Sequence, residues 1–160
     1  DLLFGGAGDD RLSGQDGADT LLAETGNDLI LAGTGDDSLS GGSGNDTLDG
    51  SLQDDTLLGG DGDDWLVDPA DDNLLYGGAG RDTVSGGRGN DRLSGDDGND
   101  ILAGGAGNDE AIGGSGAGAG GLASAFGVLL SDFGSVCVSV GRRASTGAPG
   151  ARSRSTAGDL

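Results

Sequence analysis

Eleven aspartates recur at a spacing of nine residues: Asp10, Asp19, Asp28, Asp37, Asp46, Asp55, Asp64, Asp82, Asp91, Asp100 and Asp109, with Asn73 filling the one gap. Carboxylates at a fixed spacing form a row once the chain coils, and a row of like charges repels unless a counter-charge lies between its members. The chain has few counter-charges of its own. It holds no lysine and no histidine, and 8 arginines face 28 acidic residues, for a formal net charge of -20. A hard cation between neighbouring turns is the remaining solution. Ca²⁺ takes about six to eight oxygen ligands in flexible geometry, backbone carbonyls included, whereas Mg²⁺ demands near-ideal octahedral geometry and holds its waters. Zn²⁺ prefers histidine and cysteine, and the chain has a single cysteine, Cys137.

These carboxylates must be positioned by a repeating element. With Gly5 as position 1, the chain reads in nines without insertion or deletion through twelve units to Ile112. Position 6 carries the aspartates. Position 8 is Leu in nine units, with Ile30, Val84 and Ala111 in the others, and position 4 is Gly in ten, with Gln53 and Asp71 the exceptions. Asp1–Phe4 match positions 6 to 9 of a preceding unit. A period of nine fits neither a helix nor a heptad, and 38 glycines in 160 residues exclude helix a second time. The unit reads as a six-residue glycine turn followed by a three-residue strand at positions 7 to 9. Alternation in that strand turns position 8 inward and positions 7 and 9 outward.

Two such strands facing one another close a coil in two units, so residues eighteen apart stack on one sheet. Leu12, Ile30, Leu48, Leu66, Val84 and Leu102 then form one ladder; Leu21, Leu39, Leu57, Leu75, Leu93 and Ala111 form the other. The expected fold is all-β, a right-handed parallel β-roll (a β-solenoid) in which each coil rests on its neighbours. One apolar side chain per nine residues is a thin core for so acidic a chain. Metal binding coupled to folding supplies the remainder, and the metal-free chain is expected to be disordered.

Units such as GGAGDDRLS (5–13), GGSGNDTLD (41–49), GGDGDDWLV (59–67) and GGRGNDRLS (86–94) conform to the pattern GGxGxDxUx, where U is a large apolar residue. In this the chain resembles the repeats-in-toxin family of hemolysin-type calcium-binding repeats. The resemblance covers residues 1–112. It implies a parallel β-roll with each Ca²⁺ between turns two repeats apart, held by position-6 carboxylates and by carbonyls of turn positions 1, 3 and 5. Carried onto this sequence, those carbonyls include Gly59 and Asp61, Gly77 and Ala79, Gly86 and Arg88, and Gly95 and Asp97. It further implies a secreted, extracellular protein, exported unfolded by a type I secretion system and folded by calcium outside. Parent proteins in the family include toxins, serralysin-like metalloproteases, lipases and epimerases. Two turns depart from the pattern, turn 6 (GSLQDD) and turn 8 (DPADDN), and the resemblance carries a full ligand set to neither.

The chain itself offers no catalytic constellation. Without histidine there is no HExxH, and no GxSxG occurs, so an enzyme active site would lie in another part of a parent protein. The negative surface excludes nucleic acid as a partner, and no apolar run reaches the roughly 18 residues of a membrane-spanning helix. A metal-free surface-binding solenoid would show flat rows of outward threonine. Thr20, Thr47, Thr56 and Thr83 at position 7 are interrupted by Arg11, Trp65 and Arg92. The roll is expected over residues 1–121, an apolar cap over 122–141 and a disordered tail over 142–160.

Overall fold

A computed structural model of the chain describes residues 1–114, together with the backbone segments Ser124–Ala125 and Cys137–Ser139. The architecture is a parallel β-solenoid of two facing sheets. One sheet stacks β1 (Leu2–Ala7), β3 (Thr20–Thr25), β5 (Ser38–Ser43), β7 (Thr56–Asp61), β9 (Leu74–Gly80), β11 (Arg92–Gly98), β13 (Glu110–Ile112) and β15 (Cys137–Ser139). The other stacks β2 (Arg11–Asp16), β4 (Leu29–Thr34), β6 (Thr47–Leu52), β8 (Trp65–Val67), β10 (Thr83–Ser85), β12 (Ile101–Ala103) and β14 (Ser124–Ala125). From β1 to β13 every register is eighteen residues, as in Leu39↔Leu57 and Leu57↔Leu75. One coil therefore takes two units, and the chain alternates sheets at each turn. Odd and even turns fall on opposite edges.

The core is the two ladders of position-8 side chains. Ten of them, from Leu21 to Leu102, are 2% exposed or less, and Leu12 and Ala111 close the ends of the described core. Each core leucine lies between its neighbours above and below on the same sheet and meets the ladder of the facing sheet.

The strands are longer than the three-residue segment that the sequence predicts. The first seven strands are six residues each and run through positions 7, 8, 9, 1, 2 and 3. Buried backbone groups must be paired, and the coil eighteen residues away presents the same groups in register, as in Gly42↔Gly60 and Ser43↔Asp61. Burial alternates from position 7 through position 2, so position 1 also faces inward, where Ala23 and Ala32 are fully buried. That inward position is invisible to a hydrophobic pattern because it is filled by glycine or alanine in eleven of the twelve units.

Positions 2 and 4 impose a backbone requirement. Their φ values lie in the left-handed region, at +118° for Gly60 and +136° for Gly62, and non-glycine residues there follow suit, with Gln53 at +81° and Asp71 at +69°. Pro69 occupies position 2 of turn 8, and its ring holds φ near about −65°. Turn 8 must take another path, and β8 before it stops after three residues. At Gly62 a Cβ would also run into the Gly44 carbonyl of the coil below, with the Gly44 carbonyl carbon 2.7 Å away. Gly62→Ala should therefore lower stability in calcium by about 1–3 kcal/mol, from left-handed strain and backbone overpacking together. Chemical denaturation against the parent chain measures this.

The apolar cap expected over 122–141 and the disordered tail over 142–160 fall outside the described residues, apart from two short backbone segments. Ser124–Ala125 pairs in parallel with β12, and Cys137–Ser139 pairs with β13.

Candidate metal centre

Each position-6 aspartate lies at the corner where a turn enters its strand, and the coil register stacks these corners along two edges. The odd edge carries Asp10, Asp28, Asp46, Asp64, Asp82 and Asp100. The even edge carries Asp19, Asp37, Asp55, Asn73, Asp91 and Asp109. The two oxygens of each carboxylate have different fates. Oδ1 accepts a hydrogen bond from the backbone N–H of the aspartate one coil earlier: Asp46 N to Asp64 Oδ1 is 2.8 Å, Asp64 N to Asp82 Oδ1 is 2.9 Å and Asp82 N to Asp100 Oδ1 is 3.0 Å. The even edge repeats this, from Asp19 N to Asp37 Oδ1 at 2.7 Å through to Asp91 N to Asp109 Oδ1 at 3.0 Å. Oδ2 is buried and has no hydrogen-bond donor at Asp10, Asp19, Asp28, Asp37, Asp46, Asp55, Asp64, Asp82, Asp91 and Asp100.

An ionised oxygen buried without a donor is costly, and these oxygens recur at ten of the twelve turns. Burial accordingly raises the carboxyl pKa at several corners of each edge. Asp64, Asp82 and Asp91 are pushed up to about 6, mainly by burial, with the backbone N–H bond to Oδ1 acting in the opposite direction. Asp37, Asp46 and Asp100 move the same way for the same reason.

The position-1 residue forms the other wall of the corner. A Cβ built on Gly14 would meet Asp19 Oδ2 at 2.5 Å and the Ala32 carbonyl of the next coil at 2.7 Å. On Gly59 it would meet Asp64 Oδ2 and the Gly77 carbonyl at 2.5 Å. Carboxylate oxygen and carbonyl oxygen thus converge at successive corners, with glycine leaving the backbone open to them. Gly77, Gly86 and Gly95 face the carboxylates of Asp82, Asp91 and Asp100. The position-3 carbonyls of Asp61 and Ala79 already accept ladder bonds from Gly44 N at 2.8 Å and Gly62 N at 2.7 Å, and each keeps a second lone pair. Arg88 lies in a parallel bridge with Ala106, and Asp97 pairs in register with Ala79.

Among the described residues no three His, Cys, Asp or Glu side chains converge on one point. A cation at these corners would draw most of its oxygens from the backbone. That donor set suits Ca²⁺, which accepts carbonyls in irregular arrangements, and does not suit Zn²⁺.

Position 5 has a separate task. Its side chains are exposed but form a second ladder running the other way. Asn45 N donates to Asn27 Oδ1 at 2.9 Å, Asp63 N to Asn45 Oδ1 at 2.8 Å, and Arg81 N to Asp63 Oδ1 at 2.9 Å. The preference for Asp and Asn there is the signal, because both offer a short side-chain acceptor. The Arg81 guanidinium also holds the Asp63 carboxyl below its ordinary range.

Turn 8 departs from its neighbours in two ways. Asn73 replaces the aspartate, and its Nδ2 donates to the Ala70 and Asp71 carbonyls at 2.8 and 3.1 Å. Asp68 stands at position 1, fully buried, with Oδ2 lacking a donor. Burial first, and then the charge of Asp55, push its carboxyl pKa upward. Sequence reasoning missed Asp68. The available signal was an aspartate at the one position where every other unit has glycine or alanine.

A family model for the RTX calcium-binding nonapeptide repeat matches residues 1–30, 22–57, 31–66, 58–93 and 85–118, stretches that together span most of the chain. No curated protein matches the chain. The repeat is a calcium-binding structural unit with no catalytic role, and it accounts for the stacked aspartate corners, the glycine turns and the two-sheet coil. The chain belongs to the RTX calcium-binding nonapeptide repeat family.

Proposed function

We propose that this chain binds several Ca²⁺ ions along the two edges of its roll, and that binding drives folding once the protein is outside the cell. The observation that carries this reading is the two rows of buried position-6 Oδ2 oxygens without donors, ten in all. The proposed ligands are these position-6 carboxylates, joined by the carbonyls of Gly59 and Asp61, Gly77 and Ala79, Gly86 and Arg88, and Gly95 and Asp97. Bound Ca²⁺ supplies positive charge between carboxylates that otherwise face only one another. The residues themselves do the rest: Oδ1 fixes the coil register, Oδ2 offers charge, and glycine at positions 1, 2 and 4 keeps the backbone close enough to join in.

The family resemblance supports a secreted location and export by a type I system, with the roll serving as the folding module of a larger secreted protein, which could be an enzyme or a toxin. No helix among the described residues is long and apolar enough to cross a membrane.

Circular dichroism during parallel Ca²⁺ and Mg²⁺ titrations tests the proposal. Strand content should rise cooperatively with Ca²⁺ at about 10⁻⁴–10⁻³ M, the range of extracellular calcium modules, and stay low in Mg²⁺ at the same concentration. Equal folding in Mg²⁺ would mean that charge screening suffices and that the corners are not calcium sites.

A further inference from the structure

The even edge is interrupted between turns 6 and 8, yet two acidic side chains meet there. Strand alternation sends position 1 inward, so it carries the Asp68 carboxylate into the interior, where Asp68 is 0% and Asp55 1% exposed. A Cβ built on Gly50 would meet Asp68 Oδ2, and Asp55 Oδ2 at 2.5 Å, so both oxygens converge on the face of one glycine. Neither has a hydrogen-bond donor. The other oxygens are occupied: Asp55 Oδ1 accepts from Asp37 N at 2.8 Å, and Asp68 Oδ1 accepts a long bond from Ala70 N at 3.4 Å. No ion pair among the described residues reaches either carboxylate; these pairs are Asp1 with Asp19, Arg81 with Asp63 and Arg92 with Glu110.

At the same step the family's arrangement is closed off. The Asn73 amide takes up the Ala70 and Asp71 carbonyls of turn 8, which would otherwise be open to a cation. At Gly5, Gly14, Gly41 and Gly59 the corner pairs one Oδ2 with a position-1 carbonyl of the next coil. At Gly50 a second carboxylate oxygen stands in place of that carbonyl.

We propose that Asp55 and Asp68 form a separate divalent-cation site of a different kind, built on two buried carboxylates facing each other across Gly50. Two carboxylates balance one divalent ion, whereas the family corners lean on the backbone. The site keeps the roll continuous across the turn that Pro69 and Asn73 make irregular. The inference rests on the calcium-binding reading of the regular turns, and it adds a ligand that the repeat pattern does not contain.

Native mass spectrometry of the full chain at saturating Ca²⁺ tests it by counting bound ions. Asp68→Asn keeps the side-chain shape and gives Asp55 Oδ2 an amide donor, so the fold should survive, as circular dichroism in calcium would show. The expected result is one Ca²⁺ fewer than the parent chain, with the remaining ions retained. If Asp68→Asn does not fold, the count is made on Asp68→Ala, which matches the residue that Ala23 and Ala32 provide at this position. It creates no new corner, since Asn73 still caps turn 8. An unchanged count overturns the proposal and leaves a proton shared between the two carboxyls as the explanation. A parent chain that binds no Ca²⁺ at all overturns the reading of the regular turns, and this one with it.

Discussion

Removal of divalent cations at neutral pH should unfold the roll. Chelation with EDTA should abolish the strand signal in circular dichroism, and added calcium should restore it. The reason lies in the corners. Ten position-6 aspartates hold a buried Oδ2 without a donor, and the core that opposes this cost is one apolar side chain per nine residues. Binding that exists only in the folded state becomes folding free energy. A chelated chain with full strand content at neutral pH would refute this coupling.

The same carboxyls set the pH dependence of the metal-free chain. Asp64, Asp82 and Asp91 rise from an ordinary 3.8 to about 6 in the fold. A carboxyl with a raised folded pKa binds its proton more tightly when folded, so its ionisation penalises the fold. That penalty is absent below the unfolded value, grows between the two values and is complete above about 6. The chelated chain should therefore regain strand content as pH falls from about 7.5 to about 5. Over the same range calcium affinity should fall, because protons and calcium compete for the same oxygens.

Asp82→Ala should raise the calcium midpoint for folding by roughly tenfold or more, the scale of a lost charge-assisted hydrogen bond. Asp82 lies mid-edge between two regular turns. Its Oδ1 holds Asp64 N at 2.9 Å, and its own N–H is held by Asp100 Oδ1 at 3.0 Å. Truncation leaves the Asp64 N–H without its buried acceptor and takes a carboxylate from the corner facing Gly77. Asp82→Asn should separate the two losses. It keeps the Oδ1 acceptor, and its amide can cap carbonyls as Asn73 does, so the fold should suffer less while calcium is still lost. Asp63→Ala is the control. That carboxylate is on the surface with Arg81, where an ion pair contributes about 0–1 kcal/mol, and the midpoint should move less than about threefold. An equal shift for Asp63→Ala and Asp82→Ala would show that bulk negative charge matters more than position.

The nonapeptide period by itself determined the topology, the register and the core of this protein. An unbroken period of nine with one apolar side chain per unit leaves little choice. Leu57 must stack between Leu39 and Leu75, and the aspartates must fall into two rows. Those conclusions depend only on counting, because a solenoid repeats the same local geometry at every coil. The tertiary structure decided what counting could not reach. Glycine carries no side-chain signal, so the inward course of position 1, and with it the six-residue strands, became visible only in the coil. The unequal fates of Oδ1 and Oδ2 depend on where the neighbouring coil places its N–H. Asp68 shows the difference most plainly: in the sequence it is one more acidic residue in an irregular turn, and in the fold it is a buried carboxylate facing Asp55. Its surroundings come from strands β6, β8 and β10 and from turn 6, and only their packing brings those atoms to one point.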